Sequence, residues 1–219
     1  MKRIATRHVA RITACLVVAS LIMASALAAS GSPVKVPADV RALLAADDMV
    51  LAYYKGDVAG TGTTGLVLVV YHGSVAAPRK PGAPGDPCDL IVYEEANREW
   101  KEVTRSNDAV DCTDNQLADS SEELIDMDHL HVAPGLITFV NQNVRSNVAF
   151  DFYYDNVKHG WYVQSMSQNF LTPPQDPDGH RGTGHGDIAA PDDFPPTRMS
   201  ELDAERLWPV LLKRTKTEY

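Results

Sequence analysis

The chain has 219 residues, 20 of them basic and 29 acidic, for a formal net charge of −9. An acidic balance argues against sequence-independent nucleic-acid binding and against docking to anionic lipid, both of which need a cationic surface. The length suits one sizeable domain with its own core.

Lys2, Arg3, Arg7 and Arg11 open the chain, and Ile12 to Leu27 is apolar apart from small or hydroxyl residues. Ala26-Leu27-Ala28 then offers a small-x-small cleavage site. This pattern predicts a signal peptide over residues 1–28 and a periplasmic or secreted mature chain beginning near Ala29. The apolar run is short for a spanning helix and polar Ser30-Gly31-Ser32-Pro33 follows at once, so no membrane anchor is expected after cleavage. Loss of the four leader cations leaves 16 basic residues against 29 acidic ones, a net charge of −13. That charge suits solubility or a basic partner.

Cys15 lies in the leader, which leaves Cys88 and Cys112 in the mature chain. In an exported protein an even pair most simply forms a disulfide, and closing this loop contributes roughly 3 kcal/mol. A thiol nucleophile or a metal pair is the alternative, although the spacing matches no CxxC motif.

Pro37 to Asp48 reads as a short helix, with Val40, Leu43 and Leu44 on one face and Asp39 able to cap its start. Met49 to Lys55 and Leu66 to Tyr71 read as the first two strands, rich in Val, Leu and Tyr. Between them runs a glycine- and threonine-rich turn, Gly56 to Gly65. Gly56, Asp57, Gly60, Gly62 and Leu66 match the GDxNGDGxxDLxV hairpin, and the segment resembles FG-GAP and VCBS-like repeats. It is also similar to the single copy of that hairpin in uncharacterised secreted bacterial β proteins. In the calcium-binding form, alternating carboxylates and an Asn supply hard oxygen ligands. Here Ala59, Thr61 and Gly65 stand at ligand positions and only Asp57 remains, so the turn geometry is expected without calcium.

Val75 to Pro87 is a Pro/Gly-rich loop. Asp89 to Glu94 and Arg98 to Thr104 are the next strands, turned at Ala96-Asn97, and the resemblance implies that Cys88 and Cys112 tie this hairpin to the segment leaving it. Asp108 to Asp128 is acidic and weakly patterned, a loop with one helical turn at Ser120 to Ile125. Leu136 to Asn141, Asn147 to Tyr154 and Trp161 to Met166 complete the sheet, with Gly160 expected to take the positive φ that ends the hairpin loop. The resemblance spans about Leu51 to Met166.

Leu171 to Pro196 is crowded with Pro, Gly and Asp and reads as a linker or long surface loop. Ser200 to Leu212 reads as an amphipathic helix capped by Ser200 with Asp203, kinked or restarted at Pro209, with Ala204, Leu207, Trp208 and Leu211 on one face. The organisation expected is a signal peptide (1–28), a β-rich domain (29–170), a linker (171–197) and a C-terminal helix (198–219). The fold class is α+β: a mainly antiparallel meander with a short N-terminal helix and a C-terminal amphipathic helix.

Motifs for known chemistries are few. GxSxG, HExxH and P-loop patterns are absent from the sequence, and His72-Gly73-Ser74 reads as a strand end. On a strand, His129 and His131 would share one face opposite Asp126 and Asp128, a geometry zinc favours when further ligands join it. His180 and His185 form a second grouping within a glycine-rich stretch. Tyr153, Tyr154, Trp161 and Tyr162 would lie on adjacent strands, as core or as a binding patch. These observations point to an exported, non-enzymatic binding protein with an unidentified protein partner, of the inhibitor or immunity type by fold-level analogy. Its partner contacts would be Trp208, Leu207, Leu211, Tyr153 and Trp161. The alternative is a metal-dependent hydrolase using His129 and His131.

Overall fold

The computed structural model describes residues 36–72, 88–111, 129–173 and 181–218, all within one unit, Lys35–Tyr219. Two antiparallel sheets carry the fold, so the α+β, mainly antiparallel class holds. One sheet has four strands in sequence order: β1 (Asp48–Gly56), β2 (Gly65–His72), β3 (Cys88–Ala96) and β4 (Glu99–Ser106). The other has six in the order β10-β9-β8-β7-β6-β5, from β5 (Leu130–Ala133), β6 (Leu136–Gln142), β7 (Ser146–Asp155), β8 (Gly160–Leu171), β9 (Thr183–Ala189) and β10 (Lys216–Glu218). Helix α1 is Ala38–Arg41 and helix α2 is Ala204–Arg214.

The run Leu66 to Val70 shows why β2 lies at the centre of its sheet. Side chains alternate across a strand, so Val67 and Val69 enter one apolar cluster while Leu66, Leu68 and Val70 enter another. Burying a side chain of this size contributes about 1.5–3 kcal/mol. Val67 and Val69 meet Phe139, Phe150, Phe152, Val163 and Ile188 in a core shared by both sheets. On the opposite face, Val36, Val40, Leu43 and Leu44 cover Leu66, Leu68 and Val70.

The β1–β2 turn fastens the two sheets. Asp57 accepts backbone hydrogen bonds from Thr61 (3.0 Å) and Gly62 (3.0 Å), while Gly60 adopts a φ of 72°. Val58 and Ala59 are buried, and the Val58 carbonyl accepts from Gly135 N at 2.7 Å in the β5–β6 turn. A Cβ at Gly60 would meet Pro134 backbone at 3.3 Å, so this close approach calls for glycine.

Several sequence expectations are corrected. The N-terminal helix is one turn only, and its N-cap is Pro37 with no side-chain cap; Asp39 instead pairs with Lys55 at 2.8 Å. The β3–β4 turn is Asn97-Arg98, both at positive φ (57° and 67°), one residue later than expected. This matches the two-residue hairpin turn whose twist suits the flanking strands. In the β7–β8 turn His159, not Gly160, takes positive φ (49°).

The largest correction concerns the expected linker. Strand β8 runs on to Leu171, and Thr183–Ala189 forms β9, paired with β8 on one side and β10 on the other. Ile188 and Phe194 are buried in the shared core. Gly184 and Gly186 are packing positions here: a Cβ on the first would collide with the Phe170 ring, and one on the second with Thr215. Residues 174–180 lie outside the described set, as do the proposed leader, the Val75 to Pro87 loop and the helical turn at Ser120 to Ile125. Among the described residues, no helix is long and apolar enough to cross a membrane.

Candidate functional site

Helix α2 starts at Asp203, whose carboxylate accepts from Arg206 N at 3.1 Å, and not at Ser200, which lies in a short 3₁₀ turn, Met199–Glu201. Pro209 stands within the helix, which continues to Arg214 as one element. Its apolar face docks: Leu211 and Leu207 are buried in the shared core, and the helix contacts β8 and β9. Trp208 is 38% exposed and Leu212 54%.

Docking in this way leaves a cleft between the first turns of α2 and the segment that leaves β4. Its floor is Val148 and Phe150 of β7 and Met166 of β8; Phe150 and Met166 are register partners. One wall is the stretch Asn107 to Asp111 and the other is Ala204, Glu205, Trp208 and Pro209. The cleft holds about 450 Å³.

The first wall is held by buried hydrogen bonds. Asn141, 4% exposed, accepts from Asp111 N at 2.9 Å and donates to the Ala109 carbonyl at 2.9 Å. Ala109 and Val110 are buried beside it. Asp108 then reaches across to the second wall, where its Oδ2 accepts from Ala204 N at 3.1 Å. A carboxylate at a helix N-terminus is favoured by the exposed amides and the helix dipole. Burial nevertheless raises the Asp108 carboxyl above the ordinary carboxylate range; the Ala204 hydrogen bond opposes the shift, while Asp203 and Glu205 add to it by repulsion. Among the described residues that line the cleft there is no Lys, Arg or His.

A second polar cluster lies at the end of the four-stranded sheet. His72 places Nδ1 2.8 Å from Asp48 and Nε2 3.2 Å from Asp89. Arg105 donates to Asp89 at 2.6 Å and to Glu102 at 2.6 Å. Asp48 and Asp89 are 7% and 6% exposed, so each buried carboxylate has a partner that can carry positive charge. Carboxylates so enclosed normally need such partners.

The structure scatters the residues singled out from sequence. Leu207, Leu211 and Trp161 are buried, which corrects their assignment as partner contacts; Trp208 alone of the helix trio is exposed. Tyr153 stacks obliquely on Tyr162, with ring centroids 5.8 Å apart, and Tyr154 lies likewise on Trp161 at 5.4 Å. His131 is on β5, but His129 precedes the strand in a 3₁₀ turn with Nδ1 2.6 Å from the Val140 carbonyl, so the expected alternation on one strand does not hold. Among the described residues, no group of three or more His, Cys, Asp or Glu side chains is arranged to hold a metal ion. His185 pairs with Asn169 at 2.8 Å, while His180 is outside the described residues. Cys88 is buried at the start of β3, and Cys112 is outside the described residues.

Sequence reasoning missed Asp108, Glu205 and Met166. Asp108 opens a stretch without periodicity, and only the apolar pair Ala109-Val110 within the acids signalled that it turns inward. Comparison of the chain with protein families, curated proteins and solved structures returned no match.

Proposed function

We propose that this chain is an exported, non-enzymatic binding protein whose site is the cleft beside α2. The observation that carries this reading is a cleft of about 450 Å³ whose lining joins Val148 and the buried core residues Phe150 and Met166 to the partly exposed Trp208. Concave sites of about 300–1,000 Å³ with apolar floors and a few polar walls are where proteins take ligands. An exposed tryptophan at such a rim supplies contact area at little entropic cost.

Export and a Cys88–Cys112 disulfide belong to the same reading. Cys88 shares the core cluster with Ala109 and Val110, the residues that lead towards position 112, which favours the pairing. We read the FG-GAP-like hairpin as scaffold, because both Asp57 oxygens are occupied by the backbone amides of its own turn.

The test is a titration with Nile red, a neutral apolar dye. Wild type should enhance its fluorescence saturably, and Ala204→Trp, which fills the cleft, should abolish the enhancement while leaving the circular dichroism spectrum unchanged. Undiminished dye binding by a folded Ala204→Trp variant would place the site elsewhere.

A further inference from the structure

The charge pattern of the cleft specifies a ligand more closely than its apolar floor does. Resting on the reading of this cleft as the binding site, we infer that its ligand is a small organic cation: an apolar body, one or two rings in size, that carries an ammonium group.

Three features lead there. The cleft floor is apolar, so the body of the ligand must be apolar to gain from burial. Among the described residues, the charged groups of the lining are Asp108, Asp111 and Glu205, Asp203 acts on Asp108 from the helix start, and no Lys, Arg or His lines the cleft. Asp108 lies inside this acidic setting with one oxygen bonded to Ala204 N, and among the described residues its Oδ1 accepts no hydrogen bond. A cation seated there relieves the repulsion from Asp203 and Glu205 and donates to the remaining oxygen, and a charge-assisted bond of this kind is stronger than a neutral one. Trp208 at the rim can stack on the apolar body or face the ammonium through its ring. Size favours a small molecule over a peptide helix, because about 450 Å³ matches a single compact ligand.

Three indoles of nearly one shape separate charge from apolar contact: tryptamine, its neutral alcohol analogue tryptophol, and anionic indole-3-acetate. Isothermal titration at neutral pH should rank them in that order, with tryptamine at least about tenfold tighter than tryptophol. Asp108→Asn with Glu205→Gln should reduce that ratio to near one while leaving tryptophol affinity as it was. Equal affinities for tryptamine and tryptophol in wild type would overturn the cationic ligand and leave the apolar cleft standing. Indole affinities unchanged by Ala204→Trp, or too weak to detect for all three, would overturn the cleft as well. A lysine-bearing amphipathic peptide that bound the cleft roughly 100-fold more tightly than tryptamine would overturn the small-molecule assignment in favour of a protein segment.

Discussion

At the end of the four-stranded sheet, the buried carboxylates of Asp48 and Asp89 share His72, and Asp89 also meets Arg105. At the mouth of the cleft, Asp108 sits partly buried with Asp203 and Glu205 as its charged neighbours and a helix amide as its hydrogen-bond donor. Both regions set acids into the body of the protein. The first sets them against His72 and Arg105 across four strands, with His72 between the two carboxylates and Arg105 bonded to Asp89. In the second, no Lys, Arg or His among the described residues lines the cleft beside these carboxylates, an arrangement that costs stability and is explicable where a ligand supplies a cation.

Breaking the first region should have the largest effect. His72→Leu removes the group between two buried carboxylates, and we expect a loss of about 3 kcal/mol in urea unfolding. A variant as stable as wild type would show that the corner does not depend on charge pairing.

The second region should respond in the opposite direction and by less. Asp108 has a carboxyl raised above its ordinary value of 3.8, so the folded chain holds that proton more tightly than the unfolded chain does. Its contribution is favourable below the ordinary value and is lost as pH rises towards the raised one. Asp108→Asn should remove this fall in stability across the acid range and give a slightly higher melting temperature at neutral pH. A lower melting temperature would mean that the ionised carboxylate stabilises the fold through Ala204 N.

Trp208→Ala tests the rim of the cleft. The indole is 38% exposed and its loss leaves the Leu207–Leu211 core in place, so the unfolding free energy should fall by about 1 kcal/mol while Nile red enhancement falls sharply. Retained enhancement would remove Trp208 from the site.

The difference between these regions bears on how much the sequence reveals. Strands β1 to β4 and β6 to β8 were legible because their apolar residues are β-branched or aromatic and bounded by turn residues. Strand β9 was not, since Gly184 and Gly186 look like loop residues until Phe170 and Thr215 are seen lying over them. The amphipathic face of α2 was legible, yet its consequence was inverted. Leu207 and Leu211 serve the core, and the site forms from what lies beside them. Asp108 and Glu205 are 97 positions apart in number and meet only through the Ala204 amide and the helix start, a proximity no local pattern carries. The four members of the charged corner, Asp48, His72, Asp89 and Arg105, come from four different strands. Register alone brings them together.

The most direct test of the central claim is a ¹⁵N–¹H NMR titration of the protein with tryptamine. The account predicts shifts concentrated on Asp108, Val148, Phe150, Met166, Ala204 and Trp208, with the amides of Asp48, His72, Asp89 and Arg105 unmoved. Shifts centred on the charged corner, or spread evenly over both sheets, would contradict it.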